Sequence, residues 1–135
     1  MKFSIKKEKL LGELQLLQGI VEKRNTMPIL ANILVHAGKG ELKLIGTDLE
    51  VGMKTIVSAD VQEEGAITIS GKKVYEIVRS LRGQKDVVFN EQADLMMGIT
   101  SGTSEFKVKC LPKEDYPQIP EPKFEKKIIL PLDKI

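Results

Sequence analysis

The acidic residues of the chain provide a first candidate site for chemistry. Asp48 and Glu50 are two positions apart, and paired carboxylates at short spacing can hold a divalent metal ion in a hydrolase. Such a site would need a further acid, Asp86 or Asp94, to fold next to this pair. The simpler interpretation, which we favour, is an Asx-type turn at Asp48 followed by an exposed edge charge at Glu50.

Other residue types that serve in catalysis occur singly or with the wrong spacing. Cys110 is the only cysteine and His36 the only histidine, which excludes an internal disulfide, a zinc ligand set and a Ser/His/Asp arrangement. We interpret Cys110 as a small buried thiol at a strand end. Residues 65–72 have glycines spaced one position too far apart for a phosphate-binding loop, and Lys73 replaces the Ser or Thr that would coordinate magnesium. We predict no catalytic residue, metal or cofactor.

A cluster of basic residues is the remaining candidate. The segment 72–81 has apolar residues at the i, i+3, i+4 and i+7 spacing that turns one face of a helix to the core. Four basic residues lie on or next to its other side: Lys72, Lys73, Arg79 and Arg82. Only Glu76 offsets them, which leaves a net charge of about three on the exposed side. Ordinary solvated helix faces have a similar composition, so this helix alone does not establish binding to nucleic acid.

Length and composition indicate one soluble domain. The 135 residues can bury roughly two-thirds of the unfolded surface. The 21 basic and 19 acidic side chains give a net charge of +2, which does not by itself mark a nucleic-acid-binding protein. No apolar run approaches the roughly 20 residues of a membrane span, and the amino terminus lacks the apolar stretch of a signal peptide. We therefore predict a cytoplasmic protein without a membrane partner.

The elements that would position these residues occur repeatedly along the chain. The repeat consists of two alternating apolar residues, a three-residue spacer, a lysine and a further apolar residue, which is typical of a short strand running into a helix. Its three copies are Phe3, Ile5, Lys9 and Leu10, then Ile67, Ile69, Lys73 and Val74, and finally Ile128, Leu130, Lys134 and Ile135. The third copy reaches the last residue of the sequence, so we expect one duplicated unit followed by the opening of another.

This repeat predicts an α+β domain at residues 1–111. Each unit, 1–58 and 65–111, reads as strand, helix and three further strands, which gives two βαβββ units with two helices on one side of antiparallel sheets. Four prolines at positions 112, 117, 120 and 122 predict an interdomain linker over 112–125. Residues 126–135 would then begin a second, truncated domain.

Five short motifs, taken in order along the chain, resemble a known family. They are MKFSI at 1–5, TMPILANI at 26–33, GTDLE at 46–50, FKVKCLP at 106–112 and DYP at 115–117. The ordered set is similar to the amino-terminal part of the bacterial sliding clamps, the beta subunits of the replicative DNA polymerase III. No single motif is very specific, but the resemblance spans the whole chain.

The resemblance implies a fold and a function. Members of the family have three similar DNA-clamp domains per subunit, and two subunits join head to tail as a homodimeric ring around double-stranded DNA. The ring is a processivity factor that slides without reading sequence and tethers the polymerase. This chain would be the amino-terminal fragment, and contacts with the polymerase and the clamp loader would lie in later domains. The clamp itself would make or break no bond, although it counts as a subunit of a DNA-directed DNA polymerase, a nucleotidyltransferase.

The resemblance also implies roles for individual residues. Arg24 matches a basic residue in the loop after the first helix that reaches toward DNA, and the basic cluster of the second helix would supply further contacts. Within that cluster, Lys73 lies either on the DNA side or toward the subunit joint. Phe106 and Val108 match the apolar pair at the dimer interface, although the same alternation also fits residues that face the domain's own core. The alternative function is a β-rich protein-interaction module without a role on DNA.

Overall fold

Each of the two units runs from a strand into a helix and then into three longer strands, in the order that the repeat predicts. The computed structural model describes residues 1–21, 28–48, 51–82 and 86–117. Within them the elements are β1 (Lys2–Lys6), α1 (Lys7–Val21), a 3₁₀ turn (Pro28–Ala31), β2 (Asn32–Gly38), β3 (Glu41–Thr47), β4 (Gly52–Ser58), β5 (Asp60–Glu63), β6 (Gly65–Ser70), α2 (Gly71–Ser80), β7 (Asp86–Gln92), a turn (Ala93–Leu95), β8 (Met96–Ser101), β9 (Ser104–Lys109), β10 (Leu111–Pro112) and a 3₁₀ turn (Lys113–Asp115).

The spacing of the buried apolar residues changes where β1 passes into α1. In β1, alternation buries Phe3 and Ile5 and leaves Lys2 and Lys6 exposed. In α1, buried side chains recur every three or four residues: Leu10, Leu14, Leu17 and Val21. Helix α1 therefore turns one apolar stripe toward the core.

The ten strands form two antiparallel sheets that exchange strands between the units. Sheet I has the order β5-β1-β7-β8-β9 and sheet II the order β10-β6-β2-β3-β4. The first strand of each unit thus joins the three-stranded meander of the other unit: Phe3 of β1 pairs with Phe89 of β7, and Ile69 of β6 pairs with Ile33 of β2. The predicted fold class, two helices with two antiparallel sheets, is confirmed.

One apolar core joins both sheets and both helices. Leu14 and Leu17 of α1, Val78 of α2 and the inward residues of the sheets belong to a single cluster of buried side chains. At the strand exchange, the rings of Phe3 and Phe89 stack with centroids 4.8 Å apart and planes inclined by 11°. The core therefore lies between the helix layer and the sheets and holds the two units together.

The two helices lie antiparallel and are tied at both ends. The ammonium group of Lys7, at the start of α1, donates to the carbonyl oxygen of Leu81 just after α2. Toward the other end of α1, the side-chain nitrogen of Gln18 donates to the carbonyl oxygen of Gly71 over 3.0 Å. Among the described residues, no helix has the length and apolar character needed to cross a membrane.

Two short edge strands were not predicted from the sequence. β5 occupies most of the connection at 59–64, where we expected no element, and it pairs with β1. β10 pairs with β6, so the predicted linker at 112–125 begins with one residue, Pro112, that belongs to the sheet. Both strands cover an edge whose N–H and C=O groups would otherwise lack partners, which is the physical reason for the difference.

The segment after β10 is fastened to sheet II by Tyr116. This side chain is 5% exposed, and its hydroxyl group donates to the carbonyl oxygen of Ile45 in β3 over 3.4 Å. The rest of the predicted linker and the predicted start of a second domain at 126–135 lie outside the described residues. The division into domains therefore stays a prediction.

The glycines of the helices allow a test of this packing. We expect Gly12→Ala and Gly19→Ala each to raise the free energy of unfolding by about 0.5–1 kcal/mol, because both positions are exposed in α1 and an added Cβ would have no atom within 4 Å. Urea unfolding monitored by circular dichroism measures the change.

Gly71→Ala serves as the matched control. A Cβ at this position would lie 2.9 Å from Cγ2 of Val21 and 3.3 Å from the carbonyl oxygen of Ala31, so we expect a loss of about 1–3 kcal/mol. Stabilisation by Gly71→Ala, or destabilisation by the two α1 substitutions, would contradict the helix packing described here.

Candidate nucleic-acid interface

Helix α2 is held against the core by a narrow apolar stripe. Val74, Val78 and the adjoining Leu81 are buried, while Ile77 is half-buried. The hydroxyl oxygen of Ser70 caps the helix by accepting a hydrogen bond from the backbone N–H of Lys73 over 3.2 Å. The helix is therefore fixed in rotation, and its polar residues must point away from the core.

The predicted basic residues of this helix share its exposed side. Lys72, Lys73 and Arg79 lie in α2 and Arg82 lies just beyond it, and all four are exposed. Lys72 and Arg79 are two helical turns apart, which places them on one face about 10 Å apart along the axis. The fifth predicted residue, Arg24, lies outside the described residues.

Electrostatics favour an anion at this surface. Lys72 and Lys73 occupy the first turn of α2, where the helix dipole is positive and a lysine is disfavoured by a few tenths of a kcal/mol to about 1 kcal/mol. The ion pairs observed among the described residues both involve the amino-terminal ammonium group of Met1, with Glu63 and Glu91 at 3.6 Å each. The basic cluster of α2 is therefore not neutralised by carboxylates in this part of the chain.

Arg79 has one close contact that the sequence interpretation missed. The central carbon of its guanidinium group lies 5.4 Å from the centroid of the Tyr75 ring, which is a cation–π geometry. Tyr75 itself is half-buried and packs on the edge of the core. The signal that could have revealed it is the i, i+4 spacing of Tyr and Arg on a predicted helix.

The exposed side of α1 is nearly neutral by comparison. Its outward positions hold small or uncharged residues: Gly12, Gln15, Leu16 and Gly19. The charged residues of α1 balance, with Lys7 and Lys9 against Glu8 and Glu13, and the Glu13 carboxylate accepts a hydrogen bond from the Thr55 hydroxyl. The positive charge of the helix layer is therefore concentrated on α2.

The predicted dimer-interface residues lie on an edge strand. β9 is the last strand of sheet I, so one of its sides has no strand partner within the described residues. Val108 is 6% exposed and belongs to the domain's own core, and Phe106 is half-buried and packs against that core. Both side chains thus face inward, and Phe106 alone of the two retains substantial surface for a partner.

The acidic residues that the structure describes do not converge on a metal site. The Asp48 carboxylate accepts a hydrogen bond from the backbone N–H of Val51, three residues on, over 2.8 Å, so it is engaged locally. Asp86 begins β7 and Asp94 lies in the turn after it, while Glu50 lies outside the described residues. The described residues contain no group of three His, Cys, Asp or Glu side chains that could hold a metal ion.

Cys110 lies in an environment that suppresses thiol chemistry. Its side chain is 1% exposed, and burial, assisted by the negative charge of Glu91, raises the pKa of the thiol from 9.0 to about 11, although Lys109 acts in the opposite direction. A thiol is a poor nucleophile when its pKa lies so far above neutrality. The interpretation of Cys110 as a buried structural thiol is confirmed.

Comparison with known proteins identifies the family. The family model described as DNA polymerase III beta subunit, N-terminal domain, matches residues 1–120. The chain belongs to this family. It is 39% identical over 124 residues to the beta sliding clamp of Pseudomonas aeruginosa, an alignment that covers 90% of the chain and 33% of that protein. With the beta sliding clamp of Escherichia coli strain K12 it shares 35% identity over 132 residues, or 97% of the chain and 36% of that protein.

The similarity extends to three-dimensional structure. Caulobacter crescentus pol III beta superposes with a TM-score of 0.84 at 36% identity, covering 89% of this chain and 33% of that one. The DNA polymerase III subunit beta of Pseudomonas aeruginosa gives a TM-score of 0.83 at 35% identity, with 89% and 32% coverage. The chain thus spans about a third of the length of its relatives, and it matches their fold over most of its own length.

The raised thiol and phenol pKa values predict a loss of stability in alkali. Burial raises the pKa of Tyr116 from 10.0 to about 12, despite a hydrogen bond with the backbone of Thr47 that lowers it. Between about pH 9 and pH 12 the unfolded chain releases protons that the folded chain retains at Cys110 and Tyr116. The free energy of unfolding should therefore fall from pH 8 to pH 11, by about 2 kcal/mol for the thiol and about 1 kcal/mol for the phenol.

Urea unfolding at pH 8 and pH 11 in the presence of a reductant measures this loss. The matched control is the double variant Cys110→Ala and Tyr116→Phe, whose stability should fall by about 3 kcal/mol less than that of the natural sequence. Equal losses in the two proteins would show that neither group controls stability in alkali.

Proposed function

We propose that this chain is the amino-terminal part of a sliding clamp that encircles double-stranded DNA and tethers the replicative polymerase. The observation that carries the proposal is the exposed basic cluster on α2, which forms no ion pair with a carboxylate among the described residues of a clamp-family domain. Lys72, Arg79 and Arg82 would attract the DNA backbone, together with Arg24 and Lys73. We place the protein in the bacterial cytoplasm and assign it no catalytic step and no cofactor.

The character of this surface favours binding that is independent of DNA sequence. Lys and Arg contacts with phosphates carry no information about the bases, and their strength falls with salt because counterions return to the DNA. The neutral face of α1 offers few groups that would hold the duplex in one register. Weak contacts of this kind allow sliding, while a closed ring would prevent dissociation sideways.

We propose further that β9 forms the subunit edge of the ring. An edge strand presents N–H and C=O groups that can pair with a strand of another subunit, and Phe106 would add apolar contact beside them. Val108 would act indirectly by keeping β9 packed on the core. Thr103 and Glu105 stand near this strand where basic residues are common in the family, so ionic contacts across the joint would be fewer here.

DNA binding by the full-length protein provides the test of the first proposal. Arg79→Ala and Lys72→Ala should each weaken association with all duplex sequences about equally and reduce the slope of log K against log salt by about one. The matched control is Lys43→Ala, because Lys43 lies on β3 between buried residues and points away from the helices. Fluorescence anisotropy over a range of salt concentrations measures these changes, and a sequence-dependent loss would contradict the proposal.

Sedimentation of the full-length protein tests the subunit edge. Phe106→Ala should weaken the dimer by about 2 kcal/mol, or about thirtyfold in dissociation constant, because part of the Phe106 ring would lose its burial against the partner. Leu16→Ala is the control, since Leu16 is an exposed apolar residue on α1, away from this edge. If Phe106→Ala and Leu16→Ala dimerise equally well, the joint lies elsewhere.

A β-rich protein-interaction module without a role on DNA is the alternative function. It would share the fold but would show no salt-dependent preference for polyanions. The anisotropy measurements above distinguish it from the clamp, because the natural sequence itself would then fail to bind DNA at low salt.

A further inference from the structure

We propose that Tyr75 is a positioning residue that holds the guanidinium group of Arg79 toward the DNA backbone. The proposal rests on the proposed function of α2 and adds a residue that the resemblance did not implicate. Tyr75 would not contact DNA itself. It would act by limiting the directions that the Arg79 side chain can take.

The contact between the two side chains carries the proposal. The Arg79 guanidinium lies over the face of the Tyr75 ring, 5.4 Å from its centroid, within the range of cation–π attraction. The two residues are four positions apart on α2, which makes them neighbours on its surface. Tyr75 is anchored because it is half-buried against the core, whereas Arg79 is exposed. The ring is therefore the fixed partner and the guanidinium the one that is positioned.

A contact with the ring face leaves the hydrogen-bond donors of Arg79 available. Cation–π attraction uses no N–H group of the guanidinium, whose five donors can still reach a phosphate. Glu76 is the acid closest in sequence to Arg79, and an ion pair with it would consume those donors. No ion pair joins Arg79 to Glu76 or to another carboxylate of the described chain. Tyr75 thus orients the charge without neutralising it.

The consequence for binding is a modest gain in affinity. A free arginine side chain loses conformational entropy when it contacts a phosphate, and a side chain already restricted by the ring loses less. Because an exposed cation–π contact is weak, we expect Tyr75 to change the dissociation constant by about two- to fivefold. An effect of this size is comparable with one weak contact and would not arrest sliding.

Fluorescence anisotropy of the full-length protein with a duplex of random sequence, at low salt, tests the proposal. Tyr75→Leu keeps an apolar side chain on the core but removes the ring face, and it should raise the dissociation constant about two- to fivefold. Tyr75→Phe keeps the ring and should bind like the natural sequence. In the Arg79→Ala background, Tyr75→Leu should have no further effect, because Tyr75 acts only through Arg79.

The outcomes separate this inference from the proposed function. If Arg79→Ala and Lys72→Ala weaken binding but Tyr75→Leu does not, the positioning role is wrong and the DNA-binding role stands. The same conclusion follows if Tyr75→Leu weakens binding as much in the Arg79→Ala background as it does in the natural sequence. If the natural full-length protein does not bind the duplex, both proposals fail. The side-chain proton signals of Arg79 provide a test without substitution: they should be shifted upfield by the ring, and unshifted signals would overturn the inference.

Discussion

The exchange of first strands between the two units is the constraint on which the rest of the structure depends. β1 completes the sheet of the second unit and β6 that of the first, so neither half can pair all of its strands alone. The stacked rings of Phe3 and Phe89 lie at this exchange and join the first unit to the second. Both helices must then cover one shared core, which forces them side by side.

This arrangement explains how a small domain can present a basic helix face. The apolar stripe of α2 packs against the core, and hydrogen bonds from Lys7 and Gln18 hold the two ends of this helix. Its outer residues are thereby released from any packing role and can carry charge. The capping by Ser70 matters for the same reason, because it offsets part of the unfavourable placement of lysines in the first turn.

The same topology determines where the domain can be extended. The two meanders end in β4 and β9, and these strands occupy equivalent edges of sheets II and I. The other two outer strands, β5 and β10, are short, and Tyr116 holds the segment after β10 against sheet II. An internal repeat therefore gives each sheet one long and one short outer strand, and the long ones offer the more extended edge for assembly from like parts.

The sequence by itself determined both helices and the longer strands, the two-unit plan, the buried face of α2 and the excess of positive charge on that helix. The spacing of apolar residues indicates which side of a helix or strand is buried, and it can be read from a short segment of sequence. Only the tertiary structure decided which strands pair, since pairing depends on contacts between residues far apart in the chain. It likewise decided that Val108 faces its own core, that a side chain at Gly71 would collide with Val21, and that Arg79 lies over Tyr75. Each of these depends on the direction and clearance of side chains, which alternation and composition do not specify.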